Sequence, residues 1–484
     1  MSRSPDGDGS DPSRRRLLQG AAVAAGGLFV GACAHAEGPR AATEPSPVAG
    51  GPPARPPARP PAPTGAGAPV TPAAPGGPDL AGGLSVRGPR LVRDGRPFFV
   101  TGFNYWAGPT LARAGNTAGW DQVRRDLDGL QAIGVNTVRV MAATEGPDSE
   151  PFRIVPTIQP ALGQYDPAGV AGVVRFADEL RRRGLYGIFT MNNFWPWSGG
   201  FAQYVAWTGA APIPYPPPAP DGSWDRFAVY AASFYKNARA VDGYHAYLRF
   251  IVPRLNDNPA VIWELANEPR GMRIGRAFHD WIDATAKLIK TLAPAQLVTT
   301  GSEGETNSPF YAGMDLIKDH ASPAIDFACF HMWAANWGWV RKGSLARDYP
   351  RAVERAQRYM SDHARRAAKL GKPVLLEEFG FPRDGDSDAP DAPTTLRDRY
   401  FAEVYAHVAS LIPTTPLAGI MPWAFAGDAR PPRPGQLWRP GDPFIGDPPH
   451  EPQGWYSVYD RDAGTLAVSK EWSARIASLG PTAT

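Results

Sequence analysis

The feature that most constrains the fold is a regular alternation of short apolar runs and helical stretches after residue 83. Eight runs rich in β-forming residues are predicted as strands: 98–104, 137–141, 186–190, 261–265, 297–300, 327–331, 374–377 and 419–423. Helices are predicted at 120–132, 170–183, 243–255, 278–292, 351–370 and 396–411. This alternation is typical of parallel strands joined by helical crossovers.

Eight such strands favour a closed (β/α)8 barrel, the TIM-barrel class of α/β fold, because an open sheet would leave two edges to protect. One domain with this fold is predicted over residues 84–484. The first strand is not followed by G-x-G-x-x-G and no P-loop motif occurs, which disfavours a nucleotide-binding fold. In a barrel, the chemistry is expected at the carboxyl ends of the strands.

The amino-terminal residues 1–36 are predicted to be a twin-arginine export signal. Ser13-Arg14-Arg15-Arg16-Leu17-Leu18 precedes an apolar stretch that is shorter than the about 20 residues needed to span a bilayer. Two cleavage sites are open. Val30-Gly31-Ala32-Cys33 resembles a lipobox that would lipidate Cys33, whereas Ala34-His35-Ala36 fits a site that would release a soluble protein. The exported protein would be a cell-surface lipoprotein in the first case and extracellular in the second.

Residues 37–83 form a Pro-, Ala- and Gly-rich segment with too little apolar surface to offset the entropy of ordering it, so we predict a disordered linker. The formal net charge of +3 comes from nearly balanced acids and bases without a clustered basic face, which argues against nucleic acid as a partner. No His/Cys/Asp cluster has the spacing of a metal site, and no cofactor is expected. The protein is expected to be a monomer.

Two predicted strands end in a glutamate. Glu268 follows the fourth strand in Asn267-Glu268-Pro269, and Glu378 follows the seventh in Glu377-Glu378-Phe379-Gly380. Side chains at these positions would meet in the mouth of the barrel. Cleavage of a glycosidic bond needs such a pair, with one carboxylic acid for the leaving oxygen and one carboxylate at the anomeric carbon. The sequence therefore predicts a glycosidase site.

The two glutamate motifs resemble the acid/base and nucleophile motifs of glycoside hydrolase family 5, and within it those of the endo-β-1,4-mannanases. The resemblance extends over most of the chain from residue 98 to about 467. It also rests on single residues and one longer motif: Arg139, His331, Trp423 and the run Asn192-Asn193-Phe194-Trp195-Pro196-Trp197-Ser198-Gly199-Gly200.

The resemblance implies roles for these residues. Glu268 would be the acid/base and Glu378 the nucleophile, Asn267 would bind the sugar 2-hydroxyl, and Arg139 and His331 would order the two carboxylates. An arginine beside Glu378 should favour its ionised form, whereas a drier or more negative setting should raise the pKa of Glu268. Trp423 would lie under the sugar at the cleavage point. Further stacking faces are expected from Trp106, Trp195 and Trp197, and Arg270 is expected to reach hydroxyls on the leaving-group side.

One position departs from the family pattern. Many relatives carry tyrosine two residues after the strand-six histidine, where its hydroxyl can bond the nucleophile, but here the sequence reads His331-Met332-Trp333. An indole donates a hydrogen bond but accepts none, so Trp333 is expected to stack on sugar or donate a bond without copying the tyrosine.

The function that the resemblance implies is retaining hydrolysis of internal β-1,4-mannosidic bonds in mannan, glucomannan or galactomannan. Two alternatives remain at this point. One is another family 5 β-glycanase such as an endoglucanase, and the other is a non-catalytic surface barrel that binds glycan.

Overall fold

The computed structural model describes residues 80–305 and 312–479. The predicted export signal, Cys33 and the predicted linker up to residue 79 lie outside the described residues. Within the described part of the chain, no helix is long and apolar enough to cross a membrane.

The strands and helices alternate as the sequence predicts. The strands are β1 Leu84–Arg87, β2 Arg90–Arg93, β3 Arg96–Pro97, β4 Val100–Asn104, β5 Thr137–Met141, β6 Tyr186–Thr190, β7 Val261–Glu264, β8 Val298–Thr299, β9 Ala328–Trp333, β10 Val374–Gly380, β11 Leu417–Pro422, β12 Phe425–Gly427 and β13 Val458–Tyr459. The helices are α1 Gly108–Leu111, α2 Thr117–Ala132, α3 Pro167–Arg183, α4 Gly200–Trp207, α5 Trp224–Ala232, α6 Ala238–Ile251, α7 Arg276–Leu292, α8 Leu316–Asp319, α9 Leu345–Ala367, α10 Thr395–Leu411 and α11 Ala463–Ala477.

Eight of these strands form one parallel sheet in the order β8-β7-β6-β5-β4-β11-β10-β9. The two ends of this order meet, because Asp326 N–H donates to the Val298 carbonyl over 2.8 Å and the Thr299 hydroxyl donates to the Phe327 carbonyl over 3.0 Å. The sheet is therefore a nearly closed barrel. The predicted (β/α)8 fold is confirmed.

Local sequence signals explain where the helices begin and end. Helix α3 has the Asp166 carboxylate accepting the Gly169 N–H at its amino end, Pro167 in its first turn, and Gly184 with a φ of 70° at its carboxyl end. An acidic cap, an early proline and a left-handed glycine are the expected start and stop signals of a helix. Its buried face, which includes Val173, Phe176 and Leu180, packs toward the barrel.

The amino-terminal hairpin and the barrel floor share one apolar cluster. Leu84 and Leu91 of β1 and β2 pack with inward residues near the strand starts, among them Ile188, Ile262 and Leu375. This antiparallel β1-β2-β3 sheet was not predicted, because strands of two to four residues carry too little periodicity. Since the floor is filled with side chains, the open end of the barrel is the carboxyl end of the strands.

Candidate active site

The two predicted catalytic glutamates meet at the carboxyl end of the barrel. Oxygen atoms of Glu268 and Glu378 and a ring nitrogen of His331 lie within 4.8 Å of one another, and all three side chains are buried. This spacing is closer to the about 5–5.5 Å of retaining glycosidases than to the about 6.5–9.5 Å of inverting ones, which must fit a water between the carboxyl groups.

The backbone at Glu268 is strained. Its φ is 49°, a left-handed conformation that costs a non-glycine residue about 1–3 kcal/mol and is concentrated at functional sites. Its N–H donates to the Gly301 carbonyl over 2.9 Å, which fixes the turn. Gly301 has to be glycine, because a Cβ there would lie 1.9 Å from the Ala266 carbonyl oxygen.

Arg139, on β5, uses all five of its N–H donors. Its Nε and one terminal nitrogen hold both oxygens of Glu264 at 2.7 and 2.6 Å. The remaining bonds go to Asn267 Oδ1 at 2.8 Å, to Asn104 Oδ1 at 3.0 Å and to Glu378 Oε1. The planar guanidinium of Arg139 on β5 therefore ties Glu378 to Asn104 of β4 and to Glu264 and Asn267 at the end of β7.

The Arg139 bond also fixes the orientation of the Asn267 amide. Because Asn267 Oδ1 accepts from Arg139, its Nδ2 is left to donate, and it bonds Asn193 Oδ1 over 3.1 Å. The Asn267 N–H donates to the Asn192 carbonyl over 2.8 Å. The Asn192-Asn193 part of the predicted motif thus supports Asn267, whose contact with a sugar 2-hydroxyl stays a prediction.

His331, on β9, has carboxylates on both sides of its ring. Its Nδ1 lies 2.7 Å from Glu268 Oε1 and 3.2 Å from Glu378 Oε2, and its Nε2 lies 3.5 Å from Glu377 Oε2. Although burial alone would lower it, these carboxylates raise the pKa of His331 to about 10.

The pKa directions of the catalytic pair are the reverse of the expectation from sequence. Burial raises the pKa of Glu378 to about 7, and repulsion from Glu268 adds to this effect, so that Arg139 and His331 do not offset it. Burial also disfavours the Glu268 anion, but hydrogen bonds from His331 and Trp195 and the charges of His331 and Arg270 outweigh it and lower the pKa of Glu268. The two carboxyl groups therefore keep one proton between them up to about pH 7 in the free site.

Of the predicted tryptophans, one contacts Glu268 and three others contact one another. Trp195 Nε1 donates to Glu268 Oε2 over 2.5 Å, so this indole also holds the Glu268 carboxyl group in place. Trp197 lies between Trp106 and Trp423, with ring centroids 5.8 and 6.5 Å away, and these three rings are 3–5% exposed. Their contacts with sugar stay predictions.

Trp333 is the last residue of β9, two residues after His331. Its half-buried ring meets Trp423 at 5.9 Å and Tyr456 at 5.0 Å, both edge-on. The Tyr456 hydroxyl donates to Asn336 Oδ1 over 2.5 Å.

Arg270 is held by two neighbours. Its guanidinium donates hydrogen bonds to both carboxylate oxygens of Glu303, over 2.6 and 2.8 Å, and lies 4.7 Å from the centre of the Trp195 ring. A positive charge is thereby fixed near Glu268, and it is among the causes that lower the pKa of Glu268. Whether Arg270 also reaches a sugar hydroxyl stays a prediction.

Sequence reasoning missed the carboxylates buried beneath the catalytic pair, Glu264, Glu377 and Glu303. A signal was present for the first two. Glu264 ends the otherwise apolar strand β7 and Glu377 precedes Glu378 within β10, and a buried charge needs a partner. Glu303 follows the two-residue strand β8 and carried no such signal.

The proline- and glycine-rich segment 442–455 forms an anchored edge of the site. The buried Asp447 carboxylate accepts the N–H groups of Gly454, Tyr456 and Ser457 over 2.9, 2.8 and 3.2 Å and the Ser457 hydroxyl over 2.5 Å. Glu451 lies on the same segment, where burial and the charges of Asp447, Glu268 and Glu378 raise its pKa well above the usual range. Sequence reasoning missed this carboxyl group as well.

Glu268, His331 and Glu378 are also spaced closely enough to hold a metal ion. Their surroundings suit proton transfer better, because Arg139 is bonded to Glu378 and His331 carries a raised pKa, so positive charge is already supplied. A close, buried pair of carboxyl groups at the mouth of a (β/α)8 barrel is the arrangement of a glycoside hydrolase site.

Comparison with known proteins agrees with this class. The GH family 5 beta-mannosidase-like model matches residues 84–480. A protein of Oryza sativa subsp. japonica named as a mannan endo-1,4-beta-mannosidase is 30% identical over 429 residues, which cover 83% of this chain and 92% of its own length. Mannan endo-1,4-beta-mannosidase A of Podospora anserina is 29% identical and covers 65% of this chain and 77% of its own length.

Among solved structures, a glycoside hydrolase family 5 mannosidase from Rhizomucor miehei is 31% identical with a TM-score of 0.75 and covers 83% of this chain and 98% of that one. The chain belongs to glycoside hydrolase family 5 and is a glycoside hydrolase.

Proposed function

We propose that this protein is a retaining endo-β-1,4-mannanase that cleaves internal bonds of mannan, glucomannan or galactomannan. The observation that carries the proposal is the close pair of Glu268 and Glu378 in a family 5 barrel whose relatives in rice and Podospora anserina are named mannan endo-1,4-beta-mannosidases.

The reaction proceeds by two displacements. Glu268 gives its proton to the glycosidic oxygen while the Glu378 carboxylate bonds to the anomeric carbon and the leaving sugar departs. Glu268, now ionised, takes a proton from water, and that water breaks the ester to Glu378. The proton of the free site has to reside on Glu268 when the sugar is bound, so substrate oxygen competes with His331 and Trp195 for the Glu268 carboxyl group.

Substrate range is tested by reducing-end release from mannan, carboxymethylcellulose and xylan with the full chain. We expect release from mannan. Activity confined to carboxymethylcellulose would instead indicate that this protein is a family 5 endoglucanase. No activity on any β-glycan would indicate a non-catalytic barrel that binds glycan.

Azide assigns the two glutamates separately. In Glu378→Ala, turnover should fall by several orders of magnitude, and azide entering at the vacated side should give a glycosyl azide of inverted configuration. In the matched Glu268→Ala variant, azide should instead attack the glycosyl-enzyme and give the retained configuration. Equal turnover of Glu378→Ala and the wild type would refute the nucleophile assignment.

A second candidate is release of single terminal mannosyl units. A family 5 mannosidase from Rhizomucor miehei, solved with mannosyl-fructose, is 30% identical with a TM-score of 0.75 and covers 82% of this chain. Early products distinguish the two modes. Mixed oligosaccharides and a rapid loss of mannan viscosity indicate internal cleavage, whereas mannose alone indicates terminal release.

We also propose that the protein is exported by the twin-arginine route and anchored at the cell surface through lipidated Cys33. Support comes from the Arg14-Arg15 motif, the apolar stretch after it and the lipobox-like residues before Cys33. Replacing Arg14 and Arg15 by lysine should block export. Cys33→Ala should move the exported protein from the detergent phase to the aqueous phase. An aqueous wild-type protein would instead indicate cleavage after Ala36 and free secretion.

A further inference from the structure

His331 has an acidic neighbour at each ring nitrogen. On one side, Nδ1 faces the catalytic carboxyl groups at 2.7 and 3.2 Å. On the other side, Nε2 faces Glu377 Oε2 at 3.5 Å. Both the imidazole and the Glu377 side chain are completely buried, so solvent does not screen these contacts.

A neutral imidazole cannot satisfy this arrangement. It carries one N–H and one lone pair. A lone pair on Nε2 would point at Glu377, and a lone pair on Nδ1 would face both Glu268 and Glu378, only one of which holds a proton, so in either case a lone pair would face an ionised carboxylate. The imidazolium ion has an N–H on both sides and can face both sets of oxygens.

Glu377 in turn needs a cation. Within the described part of the chain, neither of its carboxylate oxygens has an ordinary hydrogen-bond partner, although a buried carboxylate without compensation is costly. Two basic groups lie within 4 Å of it, His331 Nε2 at 3.5 Å and Arg139 Nε at 3.9 Å. Arg139 is already committed to Glu264 and Glu378, which leaves His331 as the matching charge.

We propose that Glu377 is a positioning residue that, as a buried anion, keeps His331 in its imidazolium form against the acid/base and the nucleophile throughout the catalytic cycle. The kinetic part of this inference rests on the proposed glycosidase function. The protonation state of His331 does not, because it belongs to the free protein.

A fixed imidazolium suits the charge movement of a double displacement. When the glycosyl ester forms, Glu378 loses its negative charge and Glu268, having given up its proton, gains one. Both carboxyl groups lie within 3.2 Å of the same His331 nitrogen. On its Nδ1 side, the His331 cation therefore faces one ionised carboxylate of the pair before the step, Glu378, and one after it, Glu268. The protein need not reorganise around the imidazolium as the charge moves.

Within residues 80–305 and 312–479, acidic groups around His331 outnumber basic ones. The acidic groups facing it are Glu264 and Glu268 from β7 and its end, Glu303 after β8, and Glu377 and Glu378 from β10. Arg139 from β5 is the opposing cation, and the Cys329 thiol contacts Glu377 as a weak donor. Because carboxylates outnumber cations around the ring, the pKa of His331 is raised to about 10 despite its burial.

The test is an NMR titration of the full chain carrying ¹⁵N-labelled histidine, with the His331 ring signals assigned by their absence in His331→Gln. We expect wild-type His331 to remain an imidazolium up to about pH 9, given a pKa of about 10. In Glu377→Gln, loss of one adjacent charge should lower the pKa of His331 by about 1–3 units. Glu145→Gln is the matched control, because Glu145 is equally buried in the barrel but contacts Gly200 instead, so the His331 titration should not move.

Kinetics provide a second readout. Glu377→Gln should lose kcat with little change in KM, and the loss should deepen as the pH rises through the new pKa of His331. Glu377→Asp keeps the anion and should recover part of kcat and of the His331 pKa, and it serves as the test if the Gln variant does not fold.

The proposal is overturned if wild-type His331 is neutral at pH 8, or if the pKa of His331 in a folded Glu377 variant equals that of the wild type. Failure of the proposed mannanase reaction would be seen differently, as an absence of turnover in the wild type with the His331 titration intact.

Discussion

Replacing Arg139 by lysine separates the charge of this residue from its geometry. The guanidinium donates five hydrogen bonds to Glu264, Asn267, Asn104 and Glu378, whereas a lysine ammonium has three donors. At least two bonds are therefore lost although the positive charge remains.

The size of the effect follows from these bonds. A hydrogen bond that involves a charged group contributes about 1.5–3 kcal/mol. If the bond to Glu378 is one of those lost, kcat/KM should fall about 10- to 160-fold, since about 1.4 kcal/mol corresponds to a factor of ten in rate. Loss of a bond to Glu264 should lower the free energy of unfolding by a similar about 1.5–3 kcal/mol.

The assay measures kcat/KM on mannan together with urea unfolding of the same preparations. Arg383→Lys is the matched control, because Arg383 is also buried and bonds a carboxylate, that of Asp462 at 2.6 Å, without touching the catalytic pair. It should lose stability but not kcat/KM. The reasoning is refuted if Arg139→Lys keeps the wild-type kcat/KM, or loses no more of it than Arg383→Lys does.

Three further predictions concern the proton, the acid and the cleft edge. Burial and repulsion from Glu268 hold the pKa of Glu378 at about 7, so the pair of carboxyl groups loses its last proton above that pH. We therefore expect kcat/KM on mannan to decline above about pH 7 with a one-proton slope. A profile of kcat/KM that stays flat to pH 9 would be incompatible with the shared proton. Glu268→Gln should slow mannan hydrolysis about 10²- to 10⁴-fold. On an aryl mannoside whose leaving group needs no proton, formation of the glycosyl-enzyme should be slowed far less. Equal losses of rate on both substrates would argue against the acid role of Glu268. Asp447→Asn should lower the free energy of unfolding by about 1–3 kcal/mol and raise KM, because the Asp447 carboxylate anchors the segment that carries Glu451. An unchanged midpoint of urea unfolding would contradict this prediction.

The barrel could be predicted because its strands are buried on both faces and are read as continuous apolar runs. The predicted strands 137–141 and 186–190 coincide with β5 and β6. Helix starts were placed later than observed, as with 170–183 against Pro167–Arg183, because the periodic face begins only after the first turn. Helices α4, α5 and α11 were missed, since the first two follow β6 without an intervening barrel strand and α11 lies beyond the eighth.

That Glu268 and Glu378 lie together could be predicted from their places at strand ends, but their protonation could not. The expectation that an arginine beside Glu378 would keep it ionised left out the burial of this carboxyl group and the repulsion from Glu268 and Glu377. Together these effects outweigh the charges of His331 and Arg139 and raise the pKa of Glu378. Trp195 shows the same limit, because a residue predicted from its motif to stack on sugar also donates its indole N–H to Glu268.

The central claim is that Glu378 bonds covalently to the sugar while Glu268 manages the proton. It is tested most directly by treating the full chain carrying Glu268→Gln with an activated 2-deoxy-2-fluoro-β-mannoside and locating the adduct by intact mass and peptide mapping. A single sugar esterified to Glu378 is the predicted result. An adduct on the adjacent Glu377, or turnover to a product of inverted configuration without any adduct, would contradict it.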